Sequence, residues 1–176
     1  MDYEIELVKP TETHKDAVLG YKKEFTENNE YIHGSAWLTD TDDFDAWLAN
    51  VRFEEGLKTH HENKVPASEY LAIRKSDNKL VGLVSLRREL NDYLEKFGGH
   101  IGYSVRRSER RKGYATQMLE IALLECKTFS IPKVLVTCDK NNIASETVIK
   151  LNGGVFESET VDPEGVTLKR YWITVS

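Results

Sequence analysis

The sequence predicts an α/β domain in which a mixed sheet carries helices on both faces. Three observations lead there. Short stretches that alternate apolar and polar residues, the period of a strand, are interspersed with longer ones whose apolar residues recur every three or four positions, the period of a helix. Turn-forming clusters separate them, S-D-N-K at 76–79 and D-P-E-G at 162–165 among others. The chain is 176 residues long, 40% hydrophobic and 30% charged, which suits one domain over 1–176 with a sizeable core.

Taken in order, Tyr3, Ile5 and Leu7 alternate with Glu4 and Glu6, giving a first strand over 3–9. Thr13 is expected to cap a helix that runs to about Asn29 with Val18, Tyr21 and Phe25 on one face. A loop crosses Tyr31 to Thr39. Asp42 to Leu57 opens on acidic residues and lines up Phe44, Trp47, Leu48 and Val51, which predicts a second helix. His60 to Pro66 is polar and expected to be mobile. Tyr70 to Arg74 and Leu80 to Leu86 read as a hairpin. Residues 87–97 are ambiguous, with one reading in which the strand continues to about Leu90 and a short helix then runs to Phe97, ended by Gly98 and Gly99. Val155 to Thr160 and Leu168 to Val175 read as a closing hairpin.

The centre of the chain is the stretch from Gly99 to Lys127. It reads as a strand, a basic turn and a helix, the helix carrying Ala115, Met118, Leu119, Ala122, Leu123 and Cys126 on one face. That helix must begin near Arg110 to Gly113, so its first backbone N–H groups lack intrahelical partners and point outward. Arg106, Arg107, Arg110, Arg111 and Lys112 add positive charge there, and Gly113 removes a Cβ from the approach of a ligand. The combination suits a pyrophosphate. Neither the G-x-x-x-x-G-K-[ST] nor the G-x-G-x-x-G nucleotide fingerprint is present.

Arg110-x-x-Gly113-x-Ala115, placed between a strand and a helix, resembles the pyrophosphate loop of the GCN5-related N-acetyltransferase (GNAT) superfamily. A second segment supports the likeness: after the strand K-V-L-V-T-C-D at 133–139, N-N-I-A-S-E-T resembles the family's second cofactor segment, in which Asn opens a helix. Together the two motifs span residues 99–154. The resemblance implies a mostly antiparallel sheet splayed at a cofactor cleft. It also implies acetyl-CoA as cosubstrate, an amine of a small molecule or peptide as acceptor, and a homodimer as one family arrangement.

Carried over residue by residue, the resemblance implies that Ser104 and Val105 offer strand backbone to the cofactor. The turn Arg106, Arg107, Arg110, Arg111, Lys112, Gly113, Tyr114, Ala115 and Thr116 would hold its phosphates, with Arg110 fixing the turn more than touching phosphate. Asn142 is expected to bond the pantetheine arm, to cap its helix, or both; Ser145 is either a first-turn residue or a cofactor contact. Two departures stand out. The family commonly has Pro where this sequence has Arg107, which predicts a less rigid strand exit, and a Tyr acid where it has Ile149, which leaves Cys138, Ser145 or water to protonate the thiolate. His100, Glu89 and Tyr103 are the candidate catalytic residues, His100 or Glu89 as the base; His100 and Tyr103 lie on opposite faces of their strand, so at most one of them faces a given acceptor cleft. Trp37, Phe44, Trp47 and Phe53 either pack the core or wall the acceptor pocket.

A net charge of −5 argues against nucleic-acid or membrane-surface binding, the run at 106–112 being a local exception. With no basic leader before an apolar core and no long apolar run, a cytoplasmic protein is expected. The two cysteines, Cys126 and Cys138, are expected as buried free thiols, and the five histidines lack metal-ligand spacing. Two functions remain: an acetyl-CoA-dependent N-acetyltransferase, or a non-catalytic CoA-binding sensor with the same fold.

Overall fold

The computed structural model describes residues 1–176. Its elements are β1 Ile5–Val8, α1 Lys15–Glu27, α2 Phe44–Gly56, β2 Ala67–Arg74, β3 Lys79–Arg87, β4 Ile101–Val105, α3 Tyr114–Thr128, β5 Lys133–Asp139, α4 Ile143–Leu151, β6 Val155–Val161 and β7 Thr167–Thr174. The strands form two sheets, β1-β2-β3-β4 and β5-β7-β6, antiparallel within each. β2 and β3 are buried along both faces, so helices must cover both. One core packs α3 and Ile149 of α4 against residues of both sheets; the other packs α1 and α2 against the opposite face of β2 and β3.

Backbone hydrogen bonding joins the two sheets at one place. The His100 N–H donates to the Leu135 carbonyl (2.8 Å), and the Leu135 N–H donates to His100 Nδ1 (2.9 Å). No ladder continues from there, so β4 and β5 part toward their C-terminal ends. Gly99 makes the junction possible. Its φ is +68°, and a Cβ there would lie 2.5 Å from the Leu135 carbonyl oxygen.

Several boundaries differ from the sequence expectation, each for a local reason. Thr13 is not a cap: Thr11 opens a 3₁₀ turn over Glu12–His14, its N–H donating to His14 Nδ1 (2.9 Å), and α1 starts at Lys15. Strand β3 ends at Arg87, and Leu94–Gly98 forms a π-helical turn closed by the Gly99 N–H on the Leu94 carbonyl (2.6 Å). The segment expected to be mobile contains a tight turn in which His61 and Lys64 exchange backbone bonds of 2.9 and 3.0 Å. Phe44 and Trp47 are buried, and the Trp47 Nε1–H donates to the Ser35 carbonyl, whereas Trp37 and Phe53 are about half exposed. Cys126 and Cys138 are buried free thiols.

Candidate active site

Antiparallel pairing decides which backbone groups of β4 face the gap. Gly102 and Ser104 pair with Ser85 and Leu83 in the same alternating set as Arg87 with His100 and Val81 with Arg106, where the Arg87 and Arg106 N–H groups donate across the ladder. The groups of Ile101, Tyr103 and Val105 therefore point the other way, toward β5. Ser104 is turned from the gap, its hydroxyl bonded to the Tyr21 hydroxyl (2.9 Å). The strand offers the Tyr103 backbone and the Val105 N–H, not Ser104, to anything lying between the sheets.

Beyond β4 the chain makes a 3₁₀ turn over Arg107–Glu109, then takes positive φ at Arg111 (+63°) and Gly113 (+83°) before entering α3. No protein atom accepts from the backbone N–H groups of residues 111–116; the first helical bond runs from the Gln117 N–H to the Gly113 carbonyl (3.3 Å). Residues 111–113 are exposed, and the space where Gly113 would carry a Cβ is open. Unpaired amides at a helix start are groups that can bind an anion.

Most of the basic side chains are already occupied. Arg106 donates to Glu24 (2.7 Å) and the Leu80 carbonyl (3.0 Å), and Glu24 also accepts the Ser108 N–H (2.6 Å). Arg107 and Arg110 both reach Glu30, at 3.1 and 2.5 Å, and Arg110 Nε donates to the Val105 carbonyl (2.9 Å). The strand exit is thus clamped by α1 and its end, and the looser exit expected from Arg107 does not occur. Glu109, 4% exposed, accepts from Lys112 (2.7 Å), Lys79 (2.7 Å) and Arg74 (2.8 Å), which hold its carboxyl down to about 2. Arg111 alone in the run has no partner for its side chain. Tyr114 points inward, its hydroxyl accepting from Arg74 (3.2 Å); Ala115 and Thr116 present backbone in the first turn.

Across the gap, Asn142 caps α4, its Oδ1 accepting the Ser145 N–H (3.1 Å). The Tyr103 hydroxyl spans the opening to Ser145 Oγ (2.8 Å); burial pushes that phenol up to about 12. Ile149 is fully buried in the core and Cys138 is 7% exposed, its thiol pushed by burial up to about 11.

The two candidate bases sit elsewhere. His100 is the pin of the junction: its Nδ1 is occupied by the Leu135 N–H, so the neutral ring carries its proton on Nε2, and burial, with the nearby Arg87, pushes it down to about 4. Such a ring takes no proton from an amine near neutrality. Glu89 bonds His60 Nδ1 (2.9 Å) beside the turn before β2, and no contact ties it to the cleft. Sequence reasoning missed Glu69 of β2 and Arg87 of β3. Their signal was charge at inward positions of otherwise apolar strands. No group of three or more His, Cys, Asp or Glu residues is placed to hold a metal ion.

Residues 4–155 match the family model described as the acetyltransferase (GNAT) domain. The chain belongs to this family. It is an N-acetyltransferase of the GNAT type, and solved GNAT structures share its fold end to end. The microcin C7 self-immunity acetyltransferase MccE, solved with acetyl-CoA and AMP, is 17% identical with a TM-score of 0.72, covering 99% of this chain and 94% of its own. The Salmonella typhimurium acetyltransferase that modifies the N-terminal serine of a 50S ribosomal subunit protein is 18% identical with a TM-score of 0.69, covering 99% and 97%. The ribosomal α-N-protein acetyltransferase RimL without ligand is 16% identical with a TM-score of 0.67, covering 99% and 95%. No curated protein matches the chain by sequence. No helix is long and apolar enough to cross a membrane.

Proposed function

We propose that this GNAT enzyme binds acetyl-CoA between β4 and β5 and passes its acetyl group directly to an amine of a small molecule or peptide. The observation that carries this reading is the row of amides at 111–116, exposed at 111–113 and unpaired throughout, at the start of a 15-residue helix. The diphosphate sits on those amides, where several N–H donors and the helix dipole act together. Arg111, the unpaired cation, meets a phosphate, while Arg106, Arg107, Arg110 and Lys112 shape the turn through Glu24, Glu30 and Glu109. The pantetheine arm lies along the Tyr103 and Val105 backbone, with the Asn142 side-chain amide on its other side. Acetyl-CoA and ribosomal-protein acceptors named for proteins of the same fold agree with this cosubstrate and with an amine acceptor.

In the reaction the amine nitrogen forms a bond to the thioester carbonyl carbon, the C–S bond breaks, and the amine loses one proton as the CoA thiolate gains one. With Ile149 unable to serve as an acid, the Tyr103 and Ser145 hydroxyl pair fills that role: Ser145 Oγ donates to the departing sulfur and Tyr103 donates to Ser145. A CoA thiol, with a pKa near that of cysteine, about 8.5, asks little of this acid.

Calorimetry with acetyl-CoA tests the reading. Micromolar binding to the wild type and none to Gly113→Glu, which sets a carboxylate among the amides, is the expected result. Equal affinity in the two overturns it. Thiol release with any amine separates an enzyme from a CoA sensor, and Ser145→Ala is expected to slow that release at least tenfold while leaving the acetyl-CoA affinity within threefold.

A further inference from the structure

On the face of the four-stranded sheet that packs against α1 and α2, β2 and β3 carry two charged side chains. Glu69 lies on the same face as Leu71 and Ile73, directly across from Ser85, and Ser85 in turn lies across from Gly102 of β4. Arg87, two residues past Ser85, shares that face and is the diagonal neighbour of Glu69. Opposite charges so placed ordinarily form an ion pair. These do not.

Glu69 is 3% exposed; Ser85 Oγ donates to its Oε2, and its buried Oε1 has no donor at all. Arg87 spends only Nη1, on the Gly98 and Gly99 carbonyls at 3.2 and 3.3 Å, and leaves Nε and Nη2 without an acceptor. Burial raises the Glu69 carboxyl well above the usual carboxylate range and lowers the Arg87 guanidinium; each charge eases the other's shift across the diagonal, and Glu54 also favours the Arg87 cation, but no hydrogen bond joins Glu69 to Arg87. A buried polar group left open in this way is what a ligand completes. The place borders the strand that edges the cleft: a Cβ on Gly102 of β4 would lie 3.3 Å from Arg87 Nη1 and 3.2 Å from the Gly34 Cα, and Arg87 Nη1 holds the two carbonyls that lead into the junction at His100.

We propose that Arg87 and Glu69 form the acceptor subsite and that the acceptor is a free amino acid or a similarly small zwitterion, its carboxylate on Arg87 and its ammonium on Glu69 Oε1. The inference rests on the acetyl-CoA reading above and narrows it. A polyamine would set a second cation against Arg87, and a peptide N-terminus has a neutral carbonyl where the guanidinium calls for a carboxylate.

The test is thiol release from acetyl-CoA by the full chain with the twenty L-amino acids, their amides and spermidine, together with calorimetry of acetyl-CoA binding. At least one amino acid is expected to react with a kcat/KM a hundredfold or more above that of its amide. Arg87→Gln is expected to abolish that preference and raise the amino-acid KM at least tenfold with acetyl-CoA affinity unchanged, and Arg87→Lys to restore part of it. Amides or spermidine reacting as well as amino acids, no reaction with any amino acid, or a preference that survives Arg87→Gln each overturn the subsite. Should Arg87→Gln not fold, the wild-type comparison of acids with amides still decides. Failure of acetyl-CoA to bind overturns the cofactor reading instead, whereas binding with acetylation of amides or spermidine alone overturns only the zwitterion.

Discussion

A buried imidazole that accepts a backbone hydrogen bond has to stay neutral, and His100 does so at the place where backbone hydrogen bonding joins the two sheets. Its pKa falls from 6.5 to about 4 on folding, through burial and the Arg87 charge, so the unfolded chain binds the extra proton first as the medium is acidified. Stability is then full above pH 6.5 and declines between 6.5 and 4, by at most about 3 kcal/mol. Urea unfolding across that range is expected to show the decline, and His100→Asn, whose Oδ1 can still accept the Leu135 N–H, is expected to flatten it. Glu109 acts over a lower window. Its carboxyl is depressed from 4.5 to about 2 by Lys112, Lys79 and Arg74, so its contribution is present above pH 4.5 and lost toward 2. Glu109→Gln should remove that lower segment alone and weaken acetyl-CoA binding several-fold, because the turn leading to the amide row loses its anchor.

At the scale of an element, two glycines of positive φ but opposite ψ, −174° at Gly99 and 3° at Gly113, meet different demands. Gly99 and Gly113 both have positive φ, but a Cβ at 99 meets the Leu135 carbonyl oxygen at 2.5 Å and one at 113 meets nothing within 4 Å. Gly113→Ala is therefore expected to cost about 1–2 kcal/mol, the left-handed penalty alone. Gly99→Ala adds a backbone clash at the sheet junction and should cost clearly more; thermal melting of the two variants orders them. The same contrast explains what the sequence disclosed. The anion turn was legible because its causes are local: a glycine, a helix start and adjacent charge all sit within a few residues of 113. The cap at Thr11 was not, since Thr11 and Thr13 both carry capping hydroxyls and a histidine ring decides between them. The π-helical turn at 94–98 depends on the glycine that follows it meeting a distant strand.

At the scale of the molecule, alternation predicted the strands and the helix-covered faces, but no residue pattern says that seven strands divide four and three. That division depends on long-range register, as does the placing of Glu69 and Arg87, whose sequence separation of eighteen residues hides a diagonal contact. A divided sheet leaves one edge of β4 unpaired inside the protein, and under the proposed binding mode the cofactor covers that edge. Acetyl-CoA bridging β4, α3 and α4 should stabilise the whole domain by about 2.7 kcal/mol at a hundredfold excess over Kd, by mass action. Amide hydrogen exchange can locate the bridge. Tyr103 and Val105 point toward β5, whereas Ser104 is paired with Leu83 of β3. Saturating acetyl-CoA should slow exchange at Tyr103, Val105 and the amides of 111–116 by tenfold or more beyond any global stabilisation, and Ser104 should follow the global change only. Equal protection of all three strand amides would mean that the cofactor stiffens the protein without lying along β4, and the placing of the pantetheine arm on the Tyr103 and Val105 backbone would be lost.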